Sequence, residues 1–505
     1  MKVIVNSPSR EIKRANICII GSGIAGGTLA KRLYDMGVGF TLIEAGGLKK
    51  GQANVTYESV GREFGIRSTR SIQLGGTSNL WHGVLAPLDE IDFKKRNWIP
   101  NSGWPIGLSD LQNAYIEAGK ILGVQQPECF NKINLPSQLK AQLESLPYNK
   151  EYLANKLFQQ PIPVVNFKSV IRKICDNSDK FHCYLNMTAL ELIYHDDKIK
   201  FLKIGCPDGS VTTIEAQQFI VCAGALETPR LLLNSGIKND NIGKYLMDHP
   251  MGNLCQMEFL QPETYPIYSD TKLSSSVKIK SGFEITRQKQ QVHKLPNHNF
   301  YLRPSFVKGI NNESEKIKLS LLALKDGKLG FKDIWNVLTS PNVIRQILVY
   351  KYSLKVKFKY ADLFFVTEQL PNPNSTVSLS EKRDLWGYPI SKVNWQLMKE
   401  DTDGLYKWFE LLLTELFPKE YYCFTHKLSD FNWEKIFTSA CHHLGTTRMG
   451  RTPDDGVVDS NLKVFGFSNL YVCDGSVFAT AGNVNSSYTI AALAVRLANY
   501  LREVI

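Results

Sequence analysis

The chain has 505 residues, about three times the ~150 residues of a common domain, so it is not a peptide, a small disulfide-stapled module or a disordered tail. Hydrophobic residues make up 43% and charged residues 21%, enough apolar side chain to build the core that a disordered chain lacks. The net charge of +12 raises the question of an anionic partner, but apart from a loose Lys scatter between Lys316 and Lys359 there is no dense block of one sign, and no nucleic-acid partner is expected.

The ten cysteines form no C-x-x-C pair, which argues against a zinc ribbon or a thioredoxin-type motif. Cys18 and Cys222 lie inside apolar runs and read as reduced core residues. Met1 to Asn16 is polar, without a signal-peptide hydrophobic stretch, and no uncharged apolar run reaches the roughly 18 residues of a membrane span. A cytoplasmic soluble protein is expected.

In chain order, Ile17-Cys18-Ile19-Ile20 is the first informative element, a short apolar run of the kind a parallel sheet buries on both faces. Gly21-Ser22-Gly23-Ile24-Ala25-Gly26 follows at once, and Ala25, Leu29, Ala30 and Leu33 then recur at helical spacing as far as Gly37. Phe40-Thr41-Leu42-Ile43 is a second strand with Glu44 at its carboxyl end. This order suits a dinucleotide. Gly21 permits the tight turn, Gly23 lets backbone approach a pyrophosphate, and Gly26 lets helix and strand pack closely. Glu44, 23 positions beyond Gly21, is placed to accept hydrogen bonds from ribose hydroxyls. The motif does not separate a nicotinamide from a flavin.

Leu74-Gly75-Gly76-Thr77-Ser78-Asn79-Leu80-Trp81 is a glycine-rich loop suited to a phosphate or a flat ring. The polar–apolar alternation from Ala189 to Phe201, then Pro207-Asp208-Gly209-Ser210 and another strand-like run, predicts a small antiparallel hairpin or meander. Gln218 to Ala225 reads as a buried strand ending in small residues, and Glu227 to Leu233 as a helix with Pro229 in its first turn, stopped by Ser235-Gly236. Near the end, Asn469 to Cys473 is another buried strand, Asp474-Gly475-Ser476 sets a carboxylate and backbone N–H groups at its tip, and Asn485 precedes a helical pattern over Ser486 to Leu501.

Several of these segments resemble those of the glucose–methanol–choline (GMC) family of FAD-dependent oxidoreductases, in a style closest to its sugar- and polyol-oxidising bacterial members. They are Gly21 to Glu44, Gly75 to Ser78, Asn101-Ser102-Gly103-Trp104-Pro105, Gly224 to Ile237, Gly243 to Leu246 with Asp248-His249-Pro250, Glu368 to Pro373, and His442 to Leu501. The stretches 106–185 and 251–365 carry little that can be placed. The resemblance implies an α/β fold with a discontinuous Rossmann-like FAD-binding domain from 1–96, 186–250 and 431–505. A substrate domain with an antiparallel sheet backed by helices would come from 251–430, and 97–185 would be a covering or connecting segment. It assigns Gly21, Gly23, Gly26, Glu44, Gly75, Gly76, Asn79, Ala189, Ala223, Gly224, Asp474 and Gly475 to the cofactor, and it places His442 at the family's catalytic histidine and Asn485 at its His/Asn partner.

Oxidising an alcohol with a flavin couples hydride departure from the carbinol carbon to flavin N5 with departure of the hydroxyl proton to a base. A group titrating near neutrality and a second polar group to hold the oxygen are needed, and His442 with Asn485 meets that need. His443 is the rival, since neighbouring side chains point in different directions. A Cys441-His442-His443 metal site is disfavoured because adjacent ligands rarely converge on one ion, and no metal is expected.

The expected function is oxidation of a hydroxyl of a polar small molecule, such as a sugar, polyol or amino-sugar alcohol, to an aldehyde or ketone, with O2 or an unidentified acceptor taking the electrons. A non-redox lyase on the same scaffold and a non-catalytic flavin-binding subunit are the alternatives. Where some family members tether the flavin through a histidine, this chain has Leu80, with His82 two residues away, so the FAD is expected to be non-covalent. Lys238 replaces a glycine often found after Ser-Gly-Ile. The aromatic and Lys-rich stretch from Lys316 to Lys359 reads as buried helical faces with solvated lysines opposite, leaving a weak membrane-surface contact as the other option.

Overall fold

The structure is a computed structural model that describes residues 4–5, 15–49, 57–62, 70–178, 180–269, 271–306, 308, 335, 357–425, 429 and 437–504. Its first layer is a parallel sheet. The strand Ala15–Ile20 lies at its centre, between Phe40–Glu44 and Val211–Val221, in parallel with both. Ile17 to Ile20 are all at most 3% exposed, as a strand covered on both faces requires. Phe181–Leu185 continues the sheet beyond Phe40–Glu44, and Leu470–Val472 pairs with Val211–Val221 in parallel.

The predicted meander is present as Thr188–His195, Lys198–Gly205 and Val211–Val221, all antiparallel. Its last strand is long enough to run on into the parallel sheet. The helix Ile24–Asp35 covers one face with the C-terminal helix Ser487–Val504 and the helix Phe167–Asn177. Gly27 makes the close approach possible, because a Cβ there would lie 2.6 Å from Phe167 Cγ.

The second layer is an antiparallel sheet built on Pro250–Glu263, Val277–Ile285, His298–Ser305 and Phe358–Thr367. One face packs into its own core, where Phe300, Leu302 and Phe283 meet Trp408, Leu412 and Leu416 from the helical stretch after Lys399. Met251, Tyr301, Phe364 and Val366 on the other face pack against the parallel-sheet core. The antiparallel sheet thus roofs the parallel one.

The segment 97–185, expected to cover or connect, does more. It gives Leu153–Pro161 to the antiparallel sheet and Phe181–Leu185 to the parallel sheet. A third, small sheet joins Tyr57–Gly61 in parallel to Pro389–Trp395, which pairs with Thr376–Arg383. Cys423 is exposed and Cys441 half-buried, while the other cysteines are buried and none forms a disulfide. The Lys316–Lys359 stretch lies outside the described residues except for Trp335 and Lys357 to Lys359. Among the described residues, no helix is long and apolar enough to cross a membrane.

Candidate active site

The glycine turn sits at the carboxyl ends of the central strands. Gly21 has φ +103°, and a Cβ there would lie 2.5 Å from Cys222 O. Gly26 packs so tightly on Gly21 O that a Cβ would overlap it. Glu44 is 6% exposed and accepts from Ser22 N at 3.1 Å, Ser22 Oγ at 2.5 Å and Gly46 N at 2.8 Å. Burial pushes its carboxyl pKa up, and these donors oppose that shift. Ser22 Oγ also accepts from Gly75 N at 2.9 Å, so one hydroxyl joins the turn, the acidic strand end and the second glycine loop. Sequence reasoning missed Ser22, although it stands inside the glycine motif.

The remaining cofactor candidates converge on the same place. A Cβ at Gly76 would lie 2.8 Å from Gly23 Cα, so the two glycine loops touch. Asn79 braces its own loop, donating to Leu74 O at 3.0 Å and Gly76 O at 2.7 Å and accepting from Asn166 at 3.1 Å. Ala189 lies two residues beyond Met187, whose N–H donates to Glu44 O at 2.9 Å. Half-buried Ala223 leads into Gly224, whose N–H donates to Asp474 Oδ2 at 2.8 Å. The same carboxylate accepts from Thr228 Oγ1 at 2.6 Å and, through Oδ1, from Ser476 N at 2.7 Å. Gly475 follows at the start of a short 3-10 turn. At Gly23 and Gly224 a Cβ would meet nothing within 4 Å. Bare backbone therefore faces open space on both sides of the sheet tip, a cradle that fits a dinucleotide.

His442 and Asn485 are brought together from separate layers. Met247 and Leu444 exchange backbone hydrogen bonds of 3.0 and 2.9 Å, so two steps along each antiparallel strand set His249 opposite His442. Pro250 then pairs with Ser439 and Met251 with Thr438. The register slips by two residues, and Cys441, at φ +63°, takes up the slack in a left-handed conformation unusual for a residue with a Cβ. His249 Nδ1 and His442 Nδ1 are 3.1 Å apart, and His249 Nε2 lies 3.0 Å from Ala481 O. Asn485 Nδ2 is 3.3 Å from His442 Nε2.

These contacts set the tautomers. Ala481 O can only accept, so His249 carries its proton on Nε2 and leaves Nδ1 bare. His442 must then donate from Nδ1, which leaves the Nε2 lone pair facing the Asn485 amide. Burial, with the neighbouring His249 and His443, lowers the His442 pKa to about 3. Burial lowers that of His249 to about 4. Both rings are neutral at pH 7, so the His442 Nε2 lone pair is open to a proton, but burial takes its basicity well below the near-neutral titration expected of it from the sequence. His443 lies near enough to the Arg70 guanidinium for that charge to add to burial in lowering its pKa, whereas His442 alone of the two makes the contact with Asn485.

The support beneath the pair is extensive. Asp248 Oδ1 accepts from His249 N at 2.6 Å and His442 N at 2.9 Å, and its Oδ2 accepts from Cys441 N at 3.2 Å and from Ser439 Oγ. Burial raises this carboxyl to about 6 against those donors. Gln369 Oε1 in turn accepts from Asp248 N at 2.8 Å. Its neighbour Glu368 forms a buried bidentate pair with Arg96, at 2.5 and 2.7 Å. Asn483 fixes the Asn485 loop by donating to Asn297 at 2.8 Å and Glu284 at 3.3 Å. The Asp248-His249-Pro250 and Glu368 to Pro373 segments were visible in the sequence; the tasks of their residues were not.

Leu80 is 37% exposed beside the glycine loop, and Lys238 is exposed without a left-handed backbone. Among the described residues, no group of three or more His, Cys, Asp and Glu is arranged to hold a metal ion.

A parallel sheet with this turn, acidic strand end and C-terminal strand defines a dinucleotide-binding α/β fold. Two family profiles described as GMC oxidoreductase match residues 170–251 and 371–494. The chain is 27% identical over 317 residues to the fructose dehydrogenase large subunit of Gluconobacter japonicus, covering 58% of this chain and 48% of that protein. It is 24% identical over 325 residues to 2-methyl-1,2-propanediol dehydrogenase of Mycolicibacterium austroafricanum, covering 58% and 49%. The matches thus span about half the length of these curated relatives. The crystal structure of pyridoxine 4-oxidase from Mesorbium loti superposes with a TM-score of 0.57 at 18% identity, covering 97% of this chain and 99% of that one. Residues 170–251 and 371–494 thus carry the two domains of GMC oxidoreductases, a family whose members bind FAD.

Proposed function

We propose that this protein is an FAD-dependent enzyme that oxidises a hydroxyl-bearing carbon of a sugar or polyol to an aldehyde or ketone. The observation that carries this reading is the bare His442 Nε2 held beside the Asn485 amide by the His249 relay. Bound FAD would supply the two-electron acceptor. The cradle of Gly21, Gly23, Gly26, Gly75, Gly76, Ala223 and Gly224 would receive it, with Glu44 toward a ribose and Asp474-Gly475 toward the chain linking ring to phosphate. Leu80 offers no nucleophile at the tethering position, which supports a non-covalent cofactor.

In this reading the substrate hydroxyl sits against both His442 and Asn485, taking over the contact they make with each other at 3.3 Å. Asn485 Nδ2 donates to the oxygen and holds it, and His442 Nε2 takes its proton as the carbon is oxidised. The resulting imidazolium keeps its Nδ1–H on His249, so no rearrangement of the ring is required. The names of the two relatives, a fructose dehydrogenase and a diol dehydrogenase, support a polyhydroxylated substrate. The test is flavin absorbance under anaerobic conditions with a panel of sugars, polyols and simple alcohols, then with oxygen readmitted to identify the acceptor. Bleaching by polyols is expected, and a flavin that no hydroxyl compound reduces refutes the proposal.

A further inference from the structure

The loop 480–485 serves the catalytic pair twice. Ala481 O accepts from His249 Nε2, and Asn485 reaches His442 Nε2. Between them stands Asn483, fully buried, whose amide donates to Asn297 Oδ1 at 2.8 Å and to Glu284 Oε2 at 3.3 Å. Glu284 belongs to a cluster of largely buried charge that the oxidation mechanism has not used. It lies near the end of Val277–Ile285, diagonal to Lys156 on Leu153–Pro161, since register pairs Lys156 with Gly282. Lys156 Nζ is 3.8 Å from Glu284 Oε2 and makes its closer ion pair with Asp89 Oδ1. Asn297 Nδ2 joins the group, donating to Asp89 Oδ2 at 3.2 Å and to Asp92 Oδ1 at 3.0 Å. The carboxyl groups of Asp89, Asp92 and Glu284 thus share the single ammonium of Lys156, while the nearby Arg96 is paired with Glu368.

The Asp89 and Glu284 carboxyl groups stand within hydrogen-bond reach of each other. Two carboxylates cannot make that bond, because each only accepts, so a proton lies between them and the ammonium decides which group carries it. Burial favours a raised Asp89 pKa, but Lys156 outweighs it and holds this carboxyl below its ordinary value. Burial and the Asp89 charge push Glu284 well above its own. Glu284 is therefore the acid of the pair, donating to Asp89 and accepting from Asn483. An ionised Glu284 would face Asp89 charge against charge, and Asn483 would lose the fixed oxygen to which it donates.

We propose that Glu284 is a positioning residue for the oxidation: it keeps the proton shared with Asp89 and, through Asn483, holds Ala481 O and the Asn485 amide in place against the two histidines. Loss of the contact loosens both ends of the loop at once, the acceptor that sets the His249 tautomer and the donor that meets the substrate oxygen. The positioning role rests on the functional reading above; the place of the proton does not.

The test compares the FAD-loaded wild type with Glu284→Leu and Glu284→Gln in anaerobic flavin reduction by the fastest compound of the panel. Leucine can neither donate to Asp89 nor accept from Asn483, and the rate constant is expected to fall about five- to tenfold. Glutamine does both without a charge and should restore the rate to within about twofold of the wild type. Asn483→Ala should lose as much as Glu284→Leu, and the double variant no more than either, because the two side chains act through one contact. Should Glu284→Leu fail to fold, Asn483→Ala supplies the loss against which glutamine is measured. In infrared difference spectra of wild type against Glu284→Gln at pH 7, the carbonyl band of a protonated carboxyl group is expected to disappear in the variant. Wild-type rates in Glu284→Leu, a glutamine variant as slow as the leucine one, losses that multiply in the double variant, or no such band overturn the assignment. If no compound of the panel bleaches the wild-type flavin, the functional reading falls and the positioning role with it, while the infrared band still decides where the proton lies.

Discussion

Replacing His249 by Leu tests the relay that sets the base. In the wild type, His442 Nδ1 meets His249 Nδ1 at 3.1 Å, and His249 is itself pinned by Ala481 O at 3.0 Å. Leucine fills the volume but accepts nothing, so the His442 Nδ1–H is left unpaired in a buried site and the alternative tautomer, with its proton on Nε2, becomes competitive. An unmade buried hydrogen bond costs about 1–3 kcal/mol; at about 1.4 kcal/mol per tenfold, kcat/KM should fall roughly 5- to 150-fold. His249→Asn places an amide oxygen near the former Nδ1 and should recover part of the loss. Anaerobic stopped-flow reduction of the bound flavin is the assay, with FAD absorbance confirming a loaded enzyme. Wild-type rates in His249→Leu, or equal losses in the Leu and Asn variants, refute the tautomer argument.

Three further outcomes follow from the same geometry. Gly26→Ala should lose both thermal stability and FAD, because its Cβ overlaps Gly21 O, whereas Gly23→Ala should fold normally and lose FAD affinity alone, since its Cβ meets no protein atom within 4 Å; melting curves with and without FAD separate them. His249 and His442 have folded pKa values of about 4 and about 3. Their neutral forms therefore contribute stability above the ordinary imidazole pKa of about 6.5, and that contribution is lost as pH falls toward the folded values. Asp248, raised to about 6, runs the other way, its contribution being lost as pH rises through that value. Asp248→Asn should thus make the loss of stability on acidification steeper between pH 6 and 4 in urea titrations. Breaking the Arg96–Glu368 pair with Arg96→Met should cost about 3–5 kcal/mol in urea unfolding, and adding Glu368→Leu should recover part of it, because the single change strands a buried charge.

The glycine turn, the strands beside it and the terminal helix were readable because their signals are local. Apolar runs, helical spacing and small residues all fall within a few dozen positions of one another around Gly21 and Glu44. The approach of His442 to Asn485 was legible only as a family resemblance, since the two sit on different elements. His249 and Asp248 could be quoted as a motif, but their tasks depend on a strand register that joins residues 191 to 194 positions apart. The same holds for Leu153–Pro161 and Phe181–Leu185, whose local sequences do not reveal which sheet each joins.

The central claim is that His442 Nε2 removes the hydroxyl proton in the oxidising step. Its most direct test is the rate constant of anaerobic flavin reduction in His442→Ala set against the wild type, with both proteins carrying FAD and the polyol saturating. A fall of about a hundredfold or more, with the flavin spectrum of the oxidised variant intact, is predicted. Reduction at the wild-type rate contradicts it.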